Sequence, residues 1–145
     1  MIEIRGIQTP ELPLLGALYE ELLDKPSDPA AMAETFAAIE HDPNYYLLGA
    51  YDGERLLGSV MGVVCRDLIA DCRPFMVVEN VIVSAAARGK RVGRLLMEEL
   101  ERTGRELRCG YALLVSSGYR KEAHAFYESL GYDEDVRGFR KRLDR

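Results

Sequence analysis

The stretch VVENVIVSAAARGKRVGRLLMEELE, residues 77–101, decides the fold of this chain. It begins as an apolar run, typical of a buried strand, and it ends with Val92, Leu95, Leu96 and Leu100 recurring at helical spacing. A strand that passes directly into a helix is a unit of mixed α/β proteins. Two features then need a chemical explanation: a polar Glu-Asn pair within the strand, and a basic, glycine-spaced turn before the helix.

The sequence on either side of this stretch predicts further strands and helices. An Asp-Gly pair at residues 52–53 separates two apolar runs and supplies the positive φ angles of a tight hairpin. Thr9 followed by Pro10 predicts the start of a helix. Together the elements predict one domain over residues 1–145 with a mixed α/β sheet. The predicted strands are residues 2–4, 45–51, 55–64, 75–83, 111–115 and 132–143, and the predicted helices are residues 9–24, 30–40, 92–104 and 123–130.

Composition and charge exclude several classes of protein. The chain has 145 residues, of which 30% are charged, and no apolar run reaches the length of about eighteen residues that spans a membrane. The net charge of −5 argues against nucleic acid as a partner and mildly favours a cationic substrate. Cys65, Cys72 and Cys109 do not have metal-binding spacing, so we expect reduced thiols and no bound metal. The start of the chain lacks the pattern of a signal peptide, and we therefore expect a cytoplasmic protein.

The basic turn RGKRVGR, residues 88–94, lies where the predicted strand meets the predicted helix. The first turn of a helix leaves backbone N–H groups without partners and carries partial positive charge, so it attracts anions. Glycines let the backbone approach a phosphate closely, and the basic side chains add charge. The alternative is a capped helix whose basic side chains are only solvated. Neither the P-loop pattern nor the dinucleotide-binding glycine pattern occurs here.

Two motifs resemble those of one known family. VENVIV and RGKRVGRLLM resemble motif A of the GNAT superfamily of acetyl-CoA-dependent N-acetyltransferases, in which the turn reads [QR]-x-x-G-x-[GA]. Arg88 and Gly93 match the ends of that pattern, whereas Arg91 stands at its middle glycine. AHAFYESLGY, residues 123–132, resembles motif B, although Arg120 replaces an asparagine that is frequent in the family. The resemblance covers nearly the whole chain.

The resemblance implies a GNAT-like acyltransferase fold, with a central mixed sheet of about six to seven strands flanked by about four helices. It implies acetyl-CoA as cosubstrate and direct transfer of the acetyl group to a primary amine within a ternary complex. A homodimer through the C-terminal strands is also compatible with it. The residues that it places on the pantetheine arm are Val81, Ile82 and Val83, and those that it places on the pyrophosphate are Arg88, Gly89, Lys90, Arg91, Val92, Gly93 and Arg94.

Glu79 is the candidate general base. Acetyl transfer needs a neutral amine nitrogen, whereas a free alkylammonium has a pKa of about 10, so a base has to take a proton at neutral pH. If the strand alternates regularly, Glu79 shares a face with Val77 and Val81 while Asn80 points to the other side. Burial without a partner is costly for a carboxylate and favours proton uptake. The structural alternatives are a β-bulge at this point and a salt bridge to a neighbouring strand.

Tyr127 is the candidate general acid, on the strength of the resemblance alone. The family gives this position the hydroxyl that protonates the departing thiolate of coenzyme A. The spacing of Ala123, Phe126, Tyr127 and Leu130 equally describes the buried face of a helix, so periodicity by itself predicts a core residue. His124, three residues earlier, is either a proton relay or an ordinary packed histidine.

The acceptor and the activity itself leave alternatives open. The acidic residues Glu20, Glu21, Asp24 and Asp28 suit a cationic acceptor such as a polyamine, an aminoglycoside-like sugar or a lysine of a protein, but a solvated helix face explains them equally. The Ser-Ser-Gly stretch at residues 116–118 either contacts cofactor or caps the next helix. A coenzyme-binding sensor without turnover and a protein-interaction domain are the alternatives to an enzyme.

Overall fold

Residues 1–113 form one unit, a five-stranded mixed sheet with three α-helices, and residues 114–145 form a second unit with one α-helix. The structure, a computed structural model, describes residues 1–145. The predicted α/β class is confirmed, and the single-domain organisation stays a prediction. The strands are β1 Glu3–Gly6, β2 Tyr45–Asp52, β3 Arg55–Cys65, β4 Phe75–Val83 and β5 Ala112–Leu113, and the helices are α1 Leu12–Leu22, α2 Pro29–Ile39, α3 Val92–Glu106 and α4 Lys121–Ser129.

The strands follow one another across the sheet in the order β1-β2-β3-β4-β5. Neighbouring strands are antiparallel, except that β4 and β5 are parallel and are connected through α3. β2 and β3 form the predicted hairpin. Its turn consists of Gly53 and Glu54, because Asp52 and Arg55 still pair with each other. Gly53 has a φ of +60°, the left-handed conformation that the hairpin prediction required.

Two glycines of β3 let helix α3 lie directly against the sheet. A Cβ atom on Gly58 would lie 2.8 Å from the carbonyl oxygen of Ile82 and 2.9 Å from the side chain of Val92. A Cβ atom on Gly62 would lie 2.6 Å from the side chain of Leu100. These distances are too short for real contacts, so α3 can approach β3 this closely only because both residues are glycine. The close packing fixes the first turn of α3 beside the end of β4.

The sheet has fewer strands than the predicted number of about six to seven. Residues 132–143, predicted as a strand, contain no strand, and every residue from Asp133 onward is exposed. The apolar residues Val136, Phe139 and Leu143 are spaced by three and four positions, so this segment lacks the alternation that buries one face of a strand. The predicted strand over residues 111–115 is present only as the short β5.

The first two helices begin with different capping arrangements. α1 begins at Leu12 and not at the predicted position, because Thr9–Glu11 form a short 3₁₀ turn before it. α2 follows Asp28, whose side chain accepts a hydrogen bond of 3.0 Å from the N–H of Ala31. A side-chain acceptor at this place satisfies one of the free N–H groups of the helix start.

The carboxylate of Glu11 connects β1, the 3₁₀ turn and β2. It accepts hydrogen bonds of 3.0 and 2.6 Å from the guanidinium of Arg5, one of 2.9 Å from the N–H of Gln8 and one of 3.0 Å from the hydroxyl of Tyr51. The guanidinium of Arg5 also lies 3.8 Å above the centre of the Tyr51 ring. Tyr51 is almost completely buried, so this network holds an edge of the sheet against its core.

We expect the Glu11 network to lose stability in acid. The hydrogen bonds from Arg5, followed by those from Gln8 and Tyr51, lower the pKa of Glu11 from its ordinary 4.5 to about 2. Because the folded-state pKa is the lower one, the stabilisation is present above the unfolded-state pKa and is lost as pH falls toward the folded-state value. Arg5 remains 36% exposed, so water screens the pair and limits the effect.

The free energy of unfolding should therefore fall by about 1 kcal/mol more in the wild type than in Glu11→Gln when pH is lowered from about 5 to about 3. Urea denaturation at the two pH values measures this difference. Parallel losses in the two proteins would show that Glu11 does not contribute in this way.

Candidate active site

Strand β4 contains a β-bulge immediately after Glu79. Glu79 pairs with Met61 of β3, whereas Ile82 pairs with Ser59, so one residue of β3 faces two residues of β4. Asn80 lies in the bulge and has a left-handed backbone with a φ of +55°. Regular alternation would place Asn80 on the same face as Ile82, which is buried, but the bulge leaves both Glu79 and Asn80 exposed.

The environment of Glu79 differs from the prediction in one respect. Its expected burial is wrong, because the residue is exposed. Of the two structural alternatives, the bulge is present, and no salt bridge involves Glu79. The carboxylate also makes no hydrogen bond within the protein, so its oxygens are available to a substrate or to water. A base role for Glu79 therefore depends on its position on the strand and not on burial.

The part of β4 that follows Val77 has no partner strand on its outer edge. β5 pairs with β4 only at Met76 and Val77. The residues predicted to contact pantetheine, Val81, Ile82 and Val83, lie beyond this point and have β3 on one side only. An extended backbone with an open edge offers N–H and C=O groups to another extended chain. The prediction that these residues contact pantetheine requires an edge of this kind.

The turn between β4 and α3, residues 88–91, contains two left-handed residues. Gly89 has a φ of +82°, and Arg91 has a φ of +64°. Arg91 is the N-cap of α3 and supplies no capping side chain. The left-handed conformation explains the glycine of the family pattern at this position, because it costs a residue with a Cβ atom about 1 kcal/mol. In this chain an arginine adopts that conformation.

Several backbone amides of this turn and of the start of α3 have no acceptor within the protein. They are the N–H groups of Gly89, Arg91, Val92 and Gly93. α3 is 15 residues long, so its N-terminus adds the partial positive charge of a full helix dipole. Free amides and positive charge at one place suit the oxygens of a pyrophosphate.

The amides of Arg88 and Lys90 differ from those of their neighbours. They donate to the carbonyl oxygens of Ala85 at 3.4 Å and Ala87 at 3.3 Å. Their side chains are exposed. Within the predicted set of residues, Arg88 and Lys90 can therefore offer a coenzyme their side-chain charges, while the free amides belong to the other residues of the turn and to the start of α3.

We expect the Arg91→Gly variant to be more stable than the wild type by about 0.5–1 kcal/mol, because glycine adopts the left-handed conformation without strain. Arg88→Gly is the matched control: it removes the same charge from the same turn, but Arg88 has a φ of −63°, which any residue can adopt. The control should be destabilised, since glycine there only adds freedom to the unfolded chain. Chemical denaturation compares the three proteins, and equal effects of the two substitutions would contradict the strain at Arg91.

In the second unit, Tyr127 is buried in an aromatic cluster. Its ring centre lies 5.4 Å from that of Phe126 and 6.3 Å from that of Tyr132. Burial raises the pKa of the Tyr127 hydroxyl above its ordinary value, and the charge of Arg120 opposes the shift. The hydroxyl is therefore protonated at neutral pH, and it makes no hydrogen bond within the protein. Tyr127 is thus a buried residue, as its periodicity predicted, whose hydroxyl can donate a proton.

Two further polar residues of the second unit have different surroundings. The Nε2 atom of His124 lies 2.8 Å from the carbonyl oxygen of Ser117, so this histidine is held by the backbone, as an ordinary packed histidine would be. α4 begins after Arg120 without a side-chain cap, so the predicted capping by the serines of residues 116–118 is wrong. The hydroxyl of Ser116 is buried without any hydrogen-bond partner.

Most of the acidic residues considered for acceptor binding already have structural partners. Glu20 accepts a hydrogen bond of 2.7 Å from the N–H of Ser27. Glu21 accepts hydrogen bonds from Ser84, and Asp28 caps α2. The solvated helix face is therefore only part of the explanation, since these carboxylates also organise the backbone around them. Their charge alone does not indicate a cationic acceptor.

Clusters of metal-binding side chains and membrane-spanning helices are both absent. No three side chains of His, Cys, Asp or Glu come together in a group that could hold a metal ion. None of the helices combines the length and the apolar character that crossing a membrane requires.

Comparison with known proteins identifies relatives over most of the chain. The Acetyltransferase (GNAT) family profile matches residues 12–132. The aminoalkylphosphonate N-acetyltransferase of Salmonella typhimurium is 28% identical over 145 residues, which cover 97% of this chain and 91% of that protein. A probable glucosamine 6-phosphate N-acetyltransferase of Drosophila melanogaster is 27% identical over 99 residues, which cover 67% of this chain and 44% of that protein.

A solved structure has the same fold over nearly its full length. A putative acetyltransferase from Agrobacterium tumefaciens superimposes with a TM-score of 0.91 at 25% identity, covering 97% of this chain and 99% of that one. The family match spans β4, its bulge, the turn of residues 88–91 and Tyr127. The chain therefore belongs to the GNAT acetyltransferase family and is a GNAT-type N-acetyltransferase.

Proposed function

We propose that this enzyme transfers an acetyl group from acetyl-CoA directly to a primary amine within a ternary complex. The observation that carries the proposal is the set of free amides at Gly89, Arg91, Val92 and Gly93, which lies at the end of a strand with an open outer edge. The amides suit the pyrophosphate of coenzyme A, and the edge suits its pantetheine arm. Cys65, Cys72 and Cys109 are all free thiols, which agrees with action in the reducing cytoplasm.

The chain's own residues supply the proton transfers in this proposal. Acetyl-CoA supplies the activated thioester, so a C–N bond forms to the acceptor while the C–S bond breaks. Glu79 takes the proton that the acceptor ammonium has to lose, directly or through water. Tyr127 gives its proton to the departing sulfur and recovers one from the nitrogen, which loses its second proton as the amide forms. A backbone N–H of β4 polarises the thioester carbonyl as an oxyanion donor.

We further propose that the acceptor is a small primary amine that carries a phosphonate or phosphate group. The names of the two curated relatives describe acceptors of this kind, an aminoalkylphosphonate and glucosamine 6-phosphate. The acidic residues that favoured a polyamine or an aminoglycoside-like sugar are hydrogen-bonded within the fold at Glu20, Glu21 and Asp28. They therefore give no independent support to a cationic acceptor.

Release of free thiol from acetyl-CoA across a panel of amines tests the proposal. The panel pairs an aminoalkylphosphonate with the corresponding alkylamine, and glucosamine 6-phosphate with glucosamine, and adds a polyamine and a lysine peptide. We expect thiol release with at least one amine, and a higher kcat/KM for the phosphorylated or phosphonylated member of each pair. Preference for the unmodified amines would contradict the acceptor class but not the reaction.

Calorimetric titration with coenzyme A separates the alternatives to an enzyme. A sensor would bind coenzyme A and release no thiol above background with any acceptor. A protein-interaction domain would not bind coenzyme A at all. Either result would remove the proposed reaction, whereas binding together with amine-dependent thiol release supports it.

A further inference from the structure

Glu21, near the end of α1, is hydrogen-bonded to the backbone that follows β4. Its Oε1 atom accepts from the hydroxyl of Ser84 at 3.1 Å and from the N–H of Ala85 at 3.2 Å, and its Oε2 atom accepts from the same hydroxyl at 3.2 Å. Ser84 is the first residue after β4, and a 3₁₀ turn, Ala85–Ala87, follows it. Glu21 thus anchors this segment from a helix 63 residues earlier in the chain.

Backbone hydrogen bonds connect the anchored segment to the turn of residues 88–91. The N–H of Ala87 donates to the carbonyl oxygen of Ser84 at 2.9 Å, that of Arg88 to Ala85 at 3.4 Å and that of Lys90 to Ala87 at 3.3 Å. Each bond fixes one residue relative to the residue three positions before it. The free N–H groups of the turn lie between and after these bonds, so their directions depend on where Ser84 and Ala85 are held.

We infer that Glu21 is a positioning residue for the coenzyme, a role that rests on the proposed function of this turn. The direction in which the Kd for coenzyme A changes when Glu21 is removed distinguishes this role from a simple charge effect. A carboxylate near a pyrophosphate site repels the ligand, so charge alone predicts that removing Glu21 tightens coenzyme binding. Loss of the anchor predicts the opposite, because the ligand then has to order a looser turn as it binds.

Calorimetric titration of the full chain with coenzyme A tests the inference in two variants of Glu21. Glu21→Ala removes the acceptor atoms, and its Kd for coenzyme A should rise by roughly fivefold, the scale of one lost hydrogen bond. Glu21→Gln removes the charge but keeps an Oε1 atom that can accept both bonds, so its Kd should stay within about twofold of the wild type. Asp24→Ala is the control, because it removes a negative charge three residues after Glu21 from a side chain that makes no hydrogen bond. Its Kd for coenzyme A should stay unchanged or fall.

Kinetics give a second measurement that a general loss of stability would not change. In Glu21→Ala the KM for acetyl-CoA should rise by a similar factor, while kcat at saturation with both substrates stays within about twofold, because Glu79 and Tyr127 are unaltered. The measurements are made well below the unfolding temperature of each variant.

Unchanged or tighter binding by Glu21→Ala, or equal weakening by Glu21→Gln, would overturn the inference. If Glu21→Ala does not fold, Ser84→Ala replaces it: this variant loses the hydroxyl but keeps the bond to Ala85, and its Kd should rise by roughly twofold to threefold. No rise in Kd would again overturn the inference. Failure of the proposed function is a distinct result, because the wild-type protein itself would then not bind coenzyme A.

Discussion

The Tyr127→Phe variant should have a kcat lower than that of the wild type by about two orders of magnitude at saturating acetyl-CoA and amine. Burial raises the pKa of this hydroxyl, so it carries a proton at neutral pH. It has no hydrogen-bond partner within the protein, so its proton is available to the departing sulfur. Without it the thiolate has to leave unprotonated or take a proton from water. The KM for acetyl-CoA should change little, because the ring itself remains.

Stability measurements and a control distinguish a chemical effect of this substitution from a structural one. Removal of a hydroxyl without a partner leaves no unsatisfied group behind, so the free energy of unfolding should change by less than about 1 kcal/mol. Tyr119→Phe is the control, because it removes a tyrosine hydroxyl from the same unit at a residue that is 82% exposed. An unchanged kcat in Tyr127→Phe would leave Tyr127 as a core residue only.

The Glu79→Gln variant should show a loss of activity that depends on pH. At neutral pH we expect kcat/KM to fall by about two orders of magnitude, the usual effect of losing a general base. An alkylammonium has a pKa of about 10, so the fraction of neutral acceptor rises as pH increases toward that value. The ratio of wild-type to variant kcat/KM should therefore fall steadily as pH rises. The substitution is nearly isosteric at an exposed position, so the fold should be unaffected.

The pH–rate profile of Glu79→Gln decides whether the carboxylate acts as a base. Without the base, the rate of the variant should keep rising with pH toward the acceptor's pKa of about 10, whether Glu79 acts directly or through water. Glu54→Gln, an exposed change in the β2–β3 turn, should keep the wild-type profile. A Glu79→Gln variant that kept the acidic limb of the wild type would dismiss the base assignment.

Much of the fold could be predicted because it follows from local patterns. β4 and the start of α3 lie where the apolar run and the helical spacing placed them, and the Asp-Gly pair correctly indicated the hairpin. The bulge at Asn80 was only one of the alternatives that the sequence left open for Glu79. A bulge is a mismatch of register between two paired strands, so it can be identified only when the pairing of β3 with β4 is known. The polar Glu-Asn pair was its sequence signal, since it interrupts an otherwise apolar strand.

The parts of the candidate site that a sequence motif marks could be predicted. Contacts between residues far apart in the chain could not. The family pattern indicated the turn of residues 88–91, and the departure at Arg91 marked a position that requires a left-handed backbone. Which amides are free depends on the 3₁₀ turn before them, and the spacing of the motif does not reveal it. The bond between Glu21 and Ser84 joins residues far apart in the chain, so the sequence alone offered only a cationic acceptor or a solvated helix face as explanations of Glu21.

The open outer edge of β4 has a consequence for association between molecules. Unpaired strand edges invite extended polypeptides to add to a sheet, and this is a common route to aggregation. β4 carries two protections along this stretch: the charge of Glu79, and the left-handed Asn80, which interrupts the straight ladder that an added strand would need. The residues that shape this part of the strand therefore also keep unwanted chains from adding to it.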